Sequence, residues 1–265
     1  MKGWMLFKII IYVIMVMMIL PIFICLPVAL TTTGYMTFPP VGFTLQWFIK
    51  AFQDHALMST LFRSFNLAIL SSLGSVAIAL FSGLAIERSQ FPGKNMIETF
   101  FTGPRIIPQI IFVLGLLILY ELMGLSDTFA GLFFSHLIIA MPFAFRTLLS
   151  NVISLDRRLE WSAQILGANN VQTFFRITLP QMKTGMIAAF IFTFVLSFNN
   201  VTMALFLSGV GKRTLPVEMF QRLMVGGITP AIPAISFALA VFGLVLFIFA
   251  DKLVGVYKYM AGGED

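Results

Sequence analysis

Six stretches of this chain are each long and apolar enough to cross a lipid bilayer, at about residues 9–30, 65–86, 106–122, 129–149, 185–207 and 235–256. The hydrocarbon core of a bilayer takes roughly 20 mostly apolar residues per helix. These runs lack the two-residue alternation of a membrane barrel, so they read as helices. A helix satisfies its backbone donors and acceptors within one segment, as hydrocarbon demands. Composition agrees: 59% of residues are hydrophobic and 11% charged, where soluble domains carry about 25% charged residues. The expected fold class is an all-α polytopic membrane protein with six transmembrane helices, forming one transmembrane domain over residues 1–265. Pro21, Pro27, Pro108 and Pro142 lie in or beside these runs and are expected to bend helices.

Lys2 and Lys8 ahead of an apolar stretch imitate a signal peptide. The stretch exceeds the 7–15 residues or so of a signal core, and bulky Ile24 precedes Cys25, so an uncleaved first span is the reading adopted. Cys25 is the single cysteine, which rules out an internal disulfide. The net charge of +6 does not form a stripe of the kind that binds nucleic acid, because its cations fall between the apolar runs. Of the 17 Lys and Arg residues, 12 fall on the side that holds both termini and 5 on the other (Lys50, Arg63, Lys212, Arg213 and Arg222). The positive-inside rule then places both termini in the cytoplasm, N-in and C-in.

The connections are unequal. External segments are expected at about 31–64, 124–128 and 208–234. The internal stretch 150–184 is too long for a plain connector and too polar for a span, which marks it as structured or functional. Within it, Asp156 fits the N-cap of a short amphipathic helix with Leu159, Ala163 and Leu166 on one face. Gly167 fits the position where positive φ ends a helix without strain. Val171, Phe174 and Phe175 suit a second short turn, and Pro180 marks a break before the fifth run. An apolar surface of this kind is either a docking site for a partner or a helix lying on headgroups, and amphipathicity does not choose between them.

At these residues the sequence resembles the importer permeases, whose cytoplasmic loop reads EAA-x3-G-x9-I-x-LP. Ala163, Gly167, Ile177, Leu179 and Pro180 fall at matching positions. Trp161-Ser162 stands where the family has Glu-Ala, and Glu160 lies one place early. One residue of shift turns a helical side chain by about 100°. Phe38-Pro39-Pro40-Val41-Gly42-Phe43-Thr44 with Trp47, and Arg213-Thr214-Leu215-Pro216-Val217 followed by Thr229-Pro230, are similar to the external loops of the spermidine/putrescine-type permeases. The resemblance implies the shorter, six-span permease subunit of a bacterial ABC importer in the inner membrane. It implies four kinds of partner: two ABC ATPase subunits, a second permease subunit, an extracytoplasmic binding protein and the membrane itself. It also implies that Glu160, Trp161, Ser162, Ala163, Leu166, Gly167, Ala168, Phe174 and Pro180 form the ATPase-docking loop.

ATP chemistry belongs to the partner. Gly211-Lys212 is a poor phosphate loop, since Phe206 replaces its first glycine and Arg213 its Ser or Thr. No cofactor is expected on this chain, and no metal: His55 and His136 have no companions at ligand spacing. No cluster of nucleophiles or carboxylates suggests an enzyme. Polar residues at membrane depth are the candidates for a translocation path: Gln109, Asn199, Asn200 and Thr202, with Asn66 open to the same reading. The competing reading is that the amides hydrogen-bond to neighbouring helices. The resembled family commonly has acidic residues where Asn199 and Asn200 stand, and the neutral amides weaken the case for a cationic polyamine because they offer no counter-charge; polyamine-like, aminophosphonate and amino-acid-like solutes stay open. A secondary transporter or channel without an ATPase is the rival class, and it calls for intramembrane ionisable groups that these runs largely lack.

Overall fold

The structure is a computed structural model and describes residues 2–209, 211–225, 227 and 229–254. Positions 255–256 of the sixth run and Lys258 lie outside the described residues. The regular structure of the described residues is all helical, without a strand: α1 (Lys2–Ala29), α2 (Gln46–Gln53), α3 (His55–Arg88), α4 (Lys94–Thr102), α5 (Gln109–Met123), α6 (Phe129–Ile153), α7 (Arg157–Ile165), α8 (Asn170–Thr173), α9 (Leu179–Gln181), α10 (Lys183–Phe198), α11 (Val201–Leu207), α12 (Leu215–Met224) and α13 (Ala231–Val254). A π-helical turn, Phe174–Thr178, joins α8 to α9.

Among the described residues, four helices are long and apolar enough to span a bilayer: Phe7–Ala29, His55–Arg88, Phe129–Ile153 and Ala231–Ile248. A fifth span is available if Asn170–Gln181 and Lys183–Phe198, bent by 63°, count as one. The third apolar run becomes a helix of 15 residues, about 22 Å at 1.5 Å per residue. Pro108 is its N-cap, so that proline starts the helix and does not bend it.

Two runs depart from their expected form. α3 extends ten residues before the run at 65–86, because residues 55–73 hold no glycine or proline to stop a helix. The run at 185–207 is not continuous: α10 ends at Phe198 and α11 restarts at Val201. Asn200 caps the new helix, its Oδ1 accepting the Met203 N–H at 2.8 Å. A short amide side chain competes for backbone partners, which makes it a better cap than interior residue.

The described contacts group into two compact units. One comprises the chain up to Ser59 with Glu218–Phe249. In it Ala29, Trp47 and Ala234 are packed together, and the Trp47 indole donates to the Thr31 carbonyl at 2.8 Å. Arg222 grips Asp54 by two bonds, at 2.6 and 3.2 Å. Along α1 residues 7–24 are exposed, a surface suited to lipid or a partner chain, and only the end of the helix is buried.

The other unit comprises Thr60–Val217 with the described residues from 250 on. Its larger core joins α3, α6 and α10 through Val76, Leu80, Phe145, Leu148 and Ala189. A second cluster joins α3, α5, α6 and α11 through Leu67, Val113, Leu132 and Met203. Lipid is as apolar as a core, so helices in a membrane associate by close packing at small residues. Gly83 passes the Leu149 backbone, where an added Cβ would sit 3.7 Å from the nitrogen. Gly185 lies closer still to Asn151, where a Cβ would sit 2.5 Å from the amide carbon.

Candidate coupling surface and polar pathway

The loop after α6 folds as its local sequence predicts at both ends of α7. The Asp156 carboxylate accepts the Arg158 N–H at 2.9 Å, as an N-cap does. At the other end Gly167 has φ 93°. The Gly167 N–H bonds to the Gln164 carbonyl and the Ala168 N–H reaches back to the Ala163 carbonyl, both at 3.0 Å. This nested pair is the Schellman ending, which requires a left-handed residue at the Gly167 position. Asn169 then starts α8 by a reciprocal capping box with Gln172, at 2.9 and 3.0 Å. Pro180 does not break the chain where the sequence suggests. It lies in the first turn of α9, where a missing N–H is tolerated, and the bend comes after it, at Met182.

The outward surface of this element is apolar. Ile165 and Leu166 are 86% and 87% exposed, and Leu159, Trp161, Val171 and Phe175 are exposed beside them. Ser162, Gly167 and Pro180 are also exposed, while Ala163 and Ala168 are half-buried. Two residues of the predicted docking set turn inward. Phe174 packs on the core of α3, α6 and α10 and stacks with Phe81 at 6.1 Å. Glu160 is only 9% exposed and pairs with Arg88 at the end of α3. Its carboxylate also accepts the Thr178 hydroxyl at 2.6 Å. Ile165 and Phe175 take the outward places instead, and the 3.6-residue period places Ile165 near Trp161.

Those inward contacts make α7 part of a frame. Arg157 donates to the Glu87 carbonyl at 2.8 Å, and its guanidinium lies 3.7 Å from the Glu87 carboxylate. Arg88 and Glu87 thus hold α7 to the end of α3, and Thr178 holds it to the π-helical turn that leads into α10. α7 is thus joined to α3 and to the turn before α10 by a contiguous set of side-chain bonds.

Among the described residues, no direct bond gathers the residues expected for a pathway into one place. Gln109 opens α5, and its Nε2 is buried without a hydrogen-bond partner among the described residues. Asn199 is exposed at the break, Asn200 is the cap of α11, and Thr202 is half-buried in its first turn. α11 packs on α5 and α6, so the break and Gln109 belong to neighbouring elements. Neither asparagine forms a described bond to another helix. Asn66 is exposed.

A polar joint lies elsewhere. Ser197 of α10 shares its hydroxyl with Ser71 of α3 and with Nδ1 of His136 of α6, each at 2.9 Å. Ser75 adds a bond to the Leu137 carbonyl at 3.2 Å. All four hydroxyl and imidazole side chains are buried, and they tie the three core helices together as polar groups do in membranes. His136 reads as solitary in the sequence because its partners lie 61 and more residues away.

Comparison with known proteins adds to this geometry. A family model described as "Binding-protein-dependent transport system inner membrane component" matches residues 75–256, more than half of the chain and all of the α7–Gly167–α8 element. The spermidine/putrescine transport system permease protein PotC of Shigella flexneri is 28% identical over 224 residues, 84% of each chain. The putrescine transport system permease protein PotI of Escherichia coli K12 is 27% identical over 215 residues, 78% of this chain and 76% of that one. Among solved structures, a bacterial ABC transporter involved in import of the acidic polysaccharide alginate superposes with a TM-score of 0.70 at 13% identity, over 97% of this chain and 96% of that one. At that identity the likeness speaks for the fold. The chain belongs to the binding-protein-dependent transport system inner membrane components, the permease family of the ABC importers.

Proposed function

We propose that α7, Gly167 and α8 are the element by which an ABC ATPase subunit drives this permease from the cytoplasm. The row of exposed apolar side chains about Ile165 and Leu166, on a helix bonded to α3 and to the turn before α10, carries the reading. An amphipathic helix set in a groove of its partner is a common recognition mode, read by anchors on one face. In this family the partner is the nucleotide-hydrolysing subunit, so ATP is bound and hydrolysed there and this chain is non-catalytic. Two such ATPases, a second permease subunit and an extracytoplasmic binding protein complete the importer, with both termini of this chain in the cytoplasm. The solute is small and polar, and the spermidine/putrescine and putrescine systems to which the similar permeases belong make a polyamine-like compound one candidate beside amino-acid-like and aminophosphonate compounds.

In the cycle, closure of the two ATPases moves α7, and the bonds from Glu160 and Arg157 carry the movement into α3, α10 and the helices packed on them. Two global states with different ATPase contacts suffice for such coupling. The test is co-purification of a tagged chain from native membranes. An ATPase subunit and a second permease are expected with the wild type, and the Ile165→Glu, Leu166→Glu double variant is expected to lose the ATPase while staying in the membrane. Recovery of the chain alone would favour a secondary transporter or channel.

A further inference from the structure

At the end of the second unit that the charge count reads as external, a cleft of about 350 Å³ is lined by Arg63, Asp127, Thr128, Ser208, Gly209 and Lys212, over an apolar floor. Its size falls in the range of small-ligand sites. The turn between α5 and α6 builds one wall: Gly124 and Asp127 both take positive φ, at 68° and 56°, and Thr128 caps α6. Gly209 permits the Asp127 side chain to lie against the chain after α11, since a Cβ there would fall 2.7 Å from the carboxylate carbon.

The two cations of the cleft are fixed by neutral groups. Arg63 Nη1 donates to the Gly211 carbonyl at 2.9 Å and the Arg213 carbonyl at 3.3 Å. Lys212 donates to the Asp127 carbonyl at 2.8 Å. Neither forms an ion pair among the described residues. A guanidinium has five N–H donors and an ammonium three, so both retain donors for a ligand. Asp127 contributes one carboxylate against these two positive charges. Deeper along the same unit, residues 60–86, 109–120, 129–153 and 183–207 contain no Asp or Glu at all. A polycation passing between these helices would meet no counter-charge from these segments, whereas an anion would meet Arg63 and Lys212 at the cleft.

We propose that this cleft is an entry site for a small anion-bearing solute, one whose recognition group is a carboxylate, phosphate or phosphonate. The proposal rests on the permease reading above and narrows its solute class. Charge-assisted hydrogen bonds from Arg and Lys are the expected recognition chemistry, and Asp127 tempers the site.

The test uses the full-length chain in nanodiscs, with methylphosphonate and putrescine as probes at matched ionic strength, read by calorimetric titration and by thermal stability. Methylphosphonate should bind saturably in the millimolar range and putrescine should not. Exposed charges act over about 0.2–1 kcal/mol each, or roughly one-and-a-half- to fivefold in affinity. Lys212→Gln should therefore weaken methylphosphonate by up to about fivefold. Asp127→Asn, which keeps a residue tolerant of positive φ, should tighten it by a similar factor. Opposite shifts in two variants with wild-type melting temperatures separate charge recognition from a structural effect. Absence of saturable binding by the wild type, saturable binding of putrescine, or equal shifts in the same direction would overturn the proposal. Co-purification of the ATPase is independent of this cleft, so retention of the partner with any of these results would sink the anion site alone.

Discussion

Replacing Gly167 with a graded series of residues tests the coupling element through backbone geometry alone. With φ at 93° and no atom within 4 Å of an added Cβ, the site has room for a side chain but penalises its conformation. An L-residue in the left-handed region costs about 1–2 kcal/mol, with asparagine least affected and β-branched residues most. The alternative is to abandon the helix ending and its two bonds at 3.0 Å, each contributing about 0.5–1.5 kcal/mol. Either route disfavours the native turn by roughly 1–3 kcal/mol, and 1.4 kcal/mol is about tenfold in population. Binding-protein-stimulated ATPase activity of the reconstituted importer should therefore fall in the order Gly, Asn, Ala, Val. The valine variant should drop by about tenfold or more, with membrane abundance unchanged throughout. Equal activity of Gly167→Val and wild type would refute the role of the turn. Equal loss in Gly167→Asn and Gly167→Ala would refute the conformational argument.

Two further perturbations act on contacts away from this turn. The hydrogen bonds from Arg222 hold the Asp54 carboxyl below its usual range, against a smaller opposing effect of burial. A depressed folded-state pKa contributes stability above the unfolded value, near 3.9, and that contribution is lost as pH falls through the folded value. Melting temperatures should thus fall more steeply below about pH 4 for the wild type than for Asp54→Asn, and parallel curves would contradict the pairing. Gly185→Ala forces a Cβ to within 2.5 Å of the Asn151 amide and should destabilise the contact of α6 with α10 by about 1–3 kcal/mol. Adding Asn151→Ala should recover most of the loss in detergent melting, and no recovery would show that the strain lies elsewhere.

The parts legible in the sequence are those decided by nearby residues. Apolar runs located the long helices, Asp156 marked the start of α7, and Gly167 marked its end, because a cap and a left-handed turn are written into three or four positions. The helical extension of α3 to His55 escaped a hydropathy reading, since polar residues in an uninterrupted helix look like loop. The azimuth of Glu160 was hidden for a different reason: its partner Arg88 is 72 residues away, and nothing local fixes which way a carboxylate on a short helix turns. The same distance problem concealed the joint of Ser71, His136 and Ser197, whose members read singly as ordinary polar residues. Asn199 and Asn200 were visible as polar residues in an apolar run, but their consequence, a capped break between α10 and α11, needed the backbone path.

Cross-linking from Ile165 tests the coupling surface most directly. Cys25 is the only native cysteine, so Ile165→Cys in a Cys25→Ser background gives a single thiol at a position 86% exposed. In intact cells it should escape a membrane-impermeant thiol reagent added outside, and in membranes it should cross-link to an ATPase subunit in a manner altered by ATP. Labelling from the outside, or no cross-link to a nucleotide-hydrolysing protein in the assembled importer, would contradict the account.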